Sequence, residues 1–386
     1  MNKRDSKEDL EHLRVIISGG GTGGHIFPAV AIANVIKQHD ANAKILFVGA
    51  EGRMEMQKVP QAGYEIVGLK IAGFQRKKLW KNITLPFKML SSSFKAKKIL
   101  KDFAPDVVIG VGGYASWATL KQAQFLNIPT LLQEQNSLAG KSNQILAKQA
   151  KRICVAYSGM EKYFPKDKIV FTGNPVRKNI SLLREKTAQL REAAVKDFGL
   201  NPEKRTVLVT GGSLGAGTVN KAVENNLQYF IDNDIQLLWQ TGKFYYAGIK
   251  ERTASLFASN PKAKEIIKIN EFIFDMDKAY SISDVVIARA GALTVSELCL
   301  VGKPVILVPS PNVAEDHQTK NAMALVNKNA AIMIRDNELQ DEFAGTLNSL
   351  INDKEKMKQL GENILQLGVG DADERIFKEI EKIIKK

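Results

Sequence analysis

Cysteine is nearly absent from the chain. Cys154 and Cys299 are the only two in 386 residues and sit far apart in apolar surroundings, which excludes a disulfide framework and a thiolate metal site and fits a reducing compartment. Histidine is scarce as well: of His12, His25, His39 and His317, three lie in charged stretches without clustered ligand partners, so no metal centre is expected. The N-terminal MNKRDSKEDLEHLRVII lacks the apolar core of a signal peptide, so the chain is expected to stay in the cytoplasm. Uncharged runs such as Val107 to Leu120 and Thr206 to Asn220 are broken by glycines and fall short of the roughly 18 apolar residues that a membrane span needs. Any membrane contact is therefore expected to be peripheral.

What the chain does have is enough apolar residue, 44% against 25% charged, for a substantial core. Its length exceeds what one core usually serves, which predicts two domains. Lys and Arg outnumber Asp and Glu by 55 to 41, a net charge of +14, and point to an anionic partner: nucleic acid, an acidic membrane surface or a phosphate-bearing substrate.

Short β-branched runs, RVIIS, AKILFV, DVVIG, IPTLLQ, TVLVT, IQLLWQ, DVVIARA and KPVILV, alternate with longer amphipathic stretches, the pattern of parallel strands joined by helical crossovers. VIISGG at Val15 to Gly20 is echoed by VLVTGG at Val207 to Gly212, which predicts two Rossmann-like domains in tandem. The junction is expected near Gly173-Asn174-Pro175, giving domains at 1–175 and 176–369. The last segment, about 370–386, carries Ile376, Phe377, Ile380, Ile383 and Ile384 at helical spacing, so it predicts an amphipathic helix that packs on its own domain or crosses back to the first.

The loop SGGGTGGHIFP sets Gly19, Gly21 and Gly24 in G-x-G-x-x-G spacing between a strand and a helix. Glycines let amides approach an anion and the helix N-terminus adds partial positive charge, so a phosphate or pyrophosphate is the expected guest. Glu51 after the second strand could hold a ribose as in a dehydrogenase, and that reading stays open at this point. His25 follows the glycines at the helix start, where it either hydrogen-bonds the loop or takes a proton from an attacking hydroxyl, a role worth about 10²–10⁴ in rate. Gly110 to Tyr114 forms a second glycine loop, and Glu134-Gln135-Asn136 ends a strand before a helix, with Asn136 a candidate cap. In the second half Ser213 in TGGSLGAGTVN and the run Ala292 to Glu297 in RAGALTVSE offer helix-start amides for a diphosphate and one carboxylate for a ribose.

From Ile71 to Lys101 there are nine basic residues and no acidic one, interleaved with Phe74, Trp80 and Phe87. Aromatic anchors among lysines suit an anionic membrane interface. Nucleic acid is the less favoured partner, because stacking platforms usually sit on sheets.

Taken together, GGGTGGHIFPA, GVGGYAS, EQNSLAGKSN, TGNPVR, GGSLGA, FIFDM, GALTVSE and EDHQTKNA resemble, in order and approximate spacing over residues 14 to 330, the MurG-type N-acetylglucosaminyltransferases. The resemblance implies an α/β GT-B fold, two Rossmann-like parallel-sheet domains facing a central cleft, with the C-terminal helix returning to the first. It implies inverting transfer of N-acetylglucosamine from UDP-GlcNAc to the 4-hydroxyl of the muramoyl-pentapeptide on undecaprenyl diphosphate (lipid I to lipid II), the last cytoplasmic step of peptidoglycan precursor synthesis, with no cofactor or metal. Carried over by motif, donor contacts fall on Thr22, Gly23, Gly24, Asn136, Arg177, Ser213, Ile273, Ala292, Leu293, Thr294, Val295, Ser296, Glu297 and Gln318. His25 becomes the general base with Glu134 as its rival, and the backbone of Ile273 meets an edge of uracil.

The implied partners are the two substrates, the anionic cytoplasmic leaflet of the inner membrane through residues 71–101, and other proteins of cell-wall synthesis, but not nucleic acid. Leu214 stands where many members have glutamine, Phe274 replaces a common acidic residue, and Pro309 to Gln318 departs from the better-known pattern. A dehydrogenase, a silent UDP-sugar-binding module, and other GT-B enzymes such as diacylglycerol glycosyltransferases or a UDP-sugar epimerase are the competing readings.

Overall fold

The computed structural model describes residues 12–71, 85–313 and 316–385, and for residues 85–90 the backbone alone. Two compact units emerge, one running to Arg177 and including the chain from Asp371 on, the other spanning Lys178–Gly370.

The first unit is built on β1 (Arg14–Gly19), β2 (Lys44–Ala50), β3 (Glu65–Leu69), β4 (Val107–Gly112), β5 (Thr130–Glu134), β6 (Arg152–Val155) and β7 (Ile169–Phe171). They form one sheet in the order β3-β2-β1-β4-β5-β6-β7, every pairing parallel. The crossovers include α1 (Gly23–His39), α2 (Glu55–Gln61), α3 (Leu85–Phe103), α4 (Tyr114–Phe125) and α5 (Lys141–Ala147). Because helices cover both faces, burial along the central strands does not alternate, and every residue of β4 and β5 is buried, the polar Thr130, Gln133 and Glu134 included.

The second unit repeats the plan with β8 (Thr206–Thr210), β9 (Gln236–Gln240), β10 (Ile267–Asn270), β11 (Val285–Ala288), β12 (Val305–Leu307) and β13 (Ile332–Met333), in the order β10-β9-β8-β11-β12-β13. Three of its helices bear on the site: α6 (Gly217–Asn225), α7 (Ala292–Val301) and α8 (His317–Val326). In each sheet the strand order reverses once, between β1 and β4 and between β8 and β11. A crevice opens at the carboxyl ends of strands where such a reversal occurs, and it is where doubly wound sheets bind ligands.

The eight strand runs quoted from the sequence correspond to β1, β2, β4, β5, β8, β9, β11 and β12, the alternating α/β architecture expected. β3, β6, β10 and β13 lacked a clear signal. Three of these lie at sheet edges, where one side of the strand is unpaired and the demand for continuous apolar sequence is weaker.

The C-terminal helix α9 (Ala372–Ile384) lays its apolar stripe into the first unit. Ile376, Phe377, Ile380 and Ile383 join the core formed by α1, β1 and β4, Phe377 stacks on His39 at 4.0 Å, and Glu379 accepts from Arg152 Nε at 3.2 Å. Ile380 is fully buried, so Ile380→Ala is expected to destabilise the first unit by about 2–5 kcal/mol. Urea denaturation followed through that unit's transition measures the loss, and a change under about 1 kcal/mol would mean the helix is only loosely docked.

Candidate active site

At the β1/β4 reversal the glycine loop leaves β1 and winds directly into α1. The backbone N–H groups of His25 and Ile26 both donate to Thr22 O, at 3.1 and 3.2 Å, so Thr22 caps the helix with its carbonyl while its side chain makes no cap hydrogen bond. Thr22 is exposed and Gly23, Gly24 and His25 are half-buried. His25 Nδ1 lies 2.9 Å from Gly20 O and 3.4 Å from Thr22 Oγ1. A carbonyl oxygen can only accept, so Nδ1 carries the proton and, in the neutral ring, Nε2 keeps its lone pair. Nε2 faces the second glycine loop, where a Cβ on Gly112 (φ +102°) would stand 2.9 Å away. A side chain at that position would press on the ring's basic nitrogen.

The first glycine loop holds an anion of its own. Glu55, at the start of α2, is buried and accepts from Gly21 N at 2.9 Å and Ala50 N at 3.0 Å. The phosphate expected in this loop would find the Gly21 amide already taken by a carboxylate.

Glu134, at the end of β5, is 2% exposed. It accepts from Asn136 N at 3.1 Å, Gly140 N at 3.0 Å and Asn143 Nδ2 at 2.9 Å, with Asn136 Nδ2 at 3.4 Å. Both oxygens are thus engaged in shaping the turn from β5 to α5. Asn136 sits in that turn rather than at the helix cap, which is Gly140. Arg177 is half-buried and ends the first unit. Glu51, the ribose candidate of the dehydrogenase reading, is spent on an ion pair with Lys95 at 3.1 Å.

In the second unit the β8/β11 reversal holds a cavity of about 520 Å³. Its walls come from Gly211, Gly212 and Gly215 after β8, the first residues of α6, Gly291 and Thr294 at the start of α7, and Gln318 of α8. Neither α6 nor α7 has an acidic residue in its own first turn, so two helix N-termini face the same space, with Asp336 beside the start of α6, accepting from Thr218 Oγ1 at 2.5 Å. Arg289 adds a cation there. Its guanidinium donates to Val308 O and Pro309 O at 3.1 Å and to Thr218 Oγ1 at 2.7 Å, and it pairs with Asp336 at 2.5 Å.

Thr294 and Gln318 line this cavity directly, and Gln318 Oε1 accepts from Ser310 N at 2.9 Å. Ser213 is exposed on the loop after β8. Ala292 and Val295 are buried, Leu293 half-buried, and Ser296 Oγ donates back to Ala292 O at 3.0 Å. Glu297 is 4% exposed, and its carboxylate accepts from Tyr280 Oη at 3.4 Å. Ile273 is buried and donates its N–H to Gln240 Oε1 at 2.8 Å. Phe274 is exposed and packs edge-on against Phe272 with centroids 4.8 Å apart.

Arg289, Thr218, Tyr245, Ser310 and Asp336 also line the cavity and were not singled out from the sequence. Arg289 was the most findable, because it directly precedes the AGALTVSE run. Among the described residues no group of three or more His, Cys, Asp or Glu is placed to hold a metal ion.

Two family models match the chain: the glycosyltransferase family 28 N-terminal domain over residues 15–155 and the glycosyltransferase family 28 C-terminal domain over residues 206–376. The UDP-N-acetylglucosamine--N-acetylmuramyl-(pentapeptide) pyrophosphoryl-undecaprenol N-acetylglucosamine transferase of Bacteroides fragilis is 54% identical, with 99% of both chains covered. The protein of the same name from Bacteroides thetaiotaomicron is 53% identical over 97% of this chain and 98% of its own. Among solved structures, the crystal structure of Acinetobacter baumannii MurG superposes with a TM-score of 0.76 at 29% identity, covering 96% of this chain and 99% of that one.

The buried hydrogen bonds of Glu134 predict that Glu134→Ala strands several donors and lowers stability by about 3 kcal/mol or more. Thermal unfolding tests this, and an unchanged midpoint would release Glu134 from its role in the turn.

Proposed function

This chain belongs to glycosyltransferase family 28, and from that premise we infer that it moves N-acetylglucosamine from UDP-GlcNAc to the 4-hydroxyl of the muramoyl-pentapeptide on undecaprenyl diphosphate, with inversion. The observation that carries this reading is 54% identity over 99% of both chains to a transferase of that name. In the reaction the acceptor oxygen forms a bond to the anomeric carbon as the bond from that carbon to the β-phosphate oxygen breaks. The acceptor proton goes to a base and UDP departs with the electron pair.

The second unit is the donor side of this reading. What supports it is the cavity itself: the starts of α6 and α7 border the space proposed for the diphosphate, Arg289 brings a guanidinium whose charge it shares with Asp336, and Thr294 and Gln318 reach the same space. Preorganised dipoles of this kind stabilise a departing diphosphate without a metal ion. Ser213 and Arg177 are proposed as further phosphate contacts. Glu297 is proposed for the ribose diol and the backbone of Ile273 for the uracil edge. Thr22, Gly23, Gly24 and Asn136 are the first unit's contributions. His25 is proposed as the general base, supported by the Nδ1–H···O=C bond that leaves Nε2 as the ring's lone-pair nitrogen. Glu134, with both oxygens engaged, fits the base role less well.

The acceptor is a lipid, and among the described residues no helix is long and apolar enough to cross a membrane. We propose peripheral docking on the anionic cytoplasmic leaflet of the inner membrane. Of the basic stretch, residues 72–84 lie outside the described residues. Its remainder supports the reading: Phe94 on α3 and Phe125 on α4 are exposed, and Lys97 Nζ stands 4.8 Å from the Phe125 ring, beside Lys98 and Lys101. Exposed aromatics flanked by lysines fit an anionic lipid surface.

The direct test is transfer of labelled N-acetylglucosamine to a lipid-linked muramoyl-pentapeptide in the presence of EDTA, with UDP-glucose and UDP-galactose as competitors. Selective transfer is expected, and UDP binding without transfer would sink the assignment. His25→Ala should lower turnover at least about 10²-fold with UDP affinity nearly intact; a loss below tenfold would remove His25 from the base role. Binding to anionic liposomes should weaken with salt and with Trp80→Glu, and salt-independent partitioning would contradict the docking surface.

A further inference from the structure

Glu55 is a carboxylate in an unusual place. It is 1% exposed at the head of a seven-residue helix, and no cationic side chain pairs with it among the described residues. A buried charge is tolerated where strong hydrogen bonds satisfy it. Here those donors are the N–H groups of Gly21 and Ala50, at 2.9 and 3.0 Å.

The Gly21 N–H does not stand alone. It belongs to the same peptide group as the Gly20 carbonyl, and in a planar trans peptide the two point in opposite directions. That carbonyl is the acceptor for His25 Nδ1 at 2.9 Å. Glu55 and His25 therefore grip one peptide group from its two sides, in the sequence carboxylate, N–H, C=O, H–Nδ1, imidazole. The backbone is built for this grip. A Cβ on Gly20 would overlap the Glu55 carboxylate, and Gly20 holds φ at +151°, a conformation that side chains disfavour.

We propose that Glu55 is a positioning residue for His25, acting through the Gly20–Gly21 peptide group. The inference rests on the reading of His25 as general base. Charge on the carboxylate polarises the N–H, which shifts electron density onto the Gly20 oxygen and makes it a stronger acceptor; chained hydrogen bonds reinforce one another in this way. Three things follow for the ring. The Nδ1–H tautomer is favoured, Nε2 is left as the basic atom, and the imidazolium formed after proton uptake keeps a strengthened partner on its other nitrogen. A carboxylate that orients a catalytic histidine directly performs the same task elsewhere. In this chain a peptide group is interposed.

The alternative is that Glu55 only ties the β2–α2 turn to the glycine loop. Glu55→Gln separates the two roles in the full-length protein. The glutamine carbonyl can accept from one of the two amides, but its NH₂ can accept from neither. The expected outcome is a fall in kcat of roughly ten- to hundredfold, with KM for UDP-GlcNAc unchanged within about twofold.

The deciding comparison is the same substitution in a His25→Ala background, where Glu55→Gln should cost no more than about twofold, because its effect runs through the missing ring. Multiplying losses would overturn the proposal. A readout independent of turnover is ¹⁵N-histidine NMR with His25 assigned by His25→Ala. The neutral ring should be the Nδ1–H tautomer in the wild-type protein and should lose that preference in Glu55→Gln. A wild-type ring that is mainly Nε2–H would overturn the proposal even if the Gln variant fails to fold. Should His25→Ala cost less than tenfold, the base assignment falls, and the NMR comparison alone decides whether Glu55 sets the ring.

Discussion

Everything at these two sites depends on one constraint of parallel sheets. Where the strand order reverses, consecutive crossovers leave on opposite faces and the carboxyl ends of two neighbouring strands stand uncovered. The chain has to bridge that gap with backbone that carries no side chains of its own, which is why glycine loops follow β1, β4 and β8. Loops of this kind expose amide groups with nothing to bond. Each unit must supply a partner for them, and the two units do so differently.

In the first unit the partner is internal. Glu55 occupies the Gly21 amide, so negative charge is already present where the glycine spacing suggested an incoming phosphate, and the Gly20 carbonyl of the same peptide group is turned toward His25. In the second unit the corresponding space is open, lined by the α6 and α7 N-termini and by Arg289. A loop that carries its own carboxylate is suited to aiming a base. A space lined by helix-start amides and a guanidinium is suited to receiving a diphosphate. The echo between VIISGG and VLVTGG thus marks a shared scaffold rather than a shared ligand.

Glu134 shows the same economy in a different role. A carboxylate at a strand's carboxyl end invites a catalytic reading, yet its two oxygens serve three backbone or amide donors and a fourth at longer range in the β5–α5 turn. The neighbouring side chains Gln133, Gln135 and Asn174 are likewise bonded to one another and to backbone. This polar network connects the turn to the Gly173-Asn174-Pro175 segment that precedes the second unit. Such bonds tie the turn to one backbone arrangement, although Gln135 Oε1 and Asn143 Oδ1 are buried within it without a partner among the described residues.

By itself the sequence determined the architecture. Apolar runs of strand length, separated by amphipathic stretches and followed by glycines, admit little besides two doubly wound parallel sheets, and ordered motifs from GGGTGGHIFPA to EDHQTKNA identified the family. Those signals are local, because strand burial on both faces and loop conformation are written in neighbouring residues. Edge strands such as β13, two residues long, carried no such signal. Only the tertiary structure decided which polar groups meet. Glu55 lies 34 positions from Gly21, Arg289 stands 71 from Thr218, and Ile273 gives its amide to Gln240 across 33. No periodicity links such pairs; they become partners because crossovers return distant segments to the same end of a sheet. A carboxylate in an unremarkable stretch such as RMEMQ therefore reads as a surface charge until the fold buries it against a glycine loop.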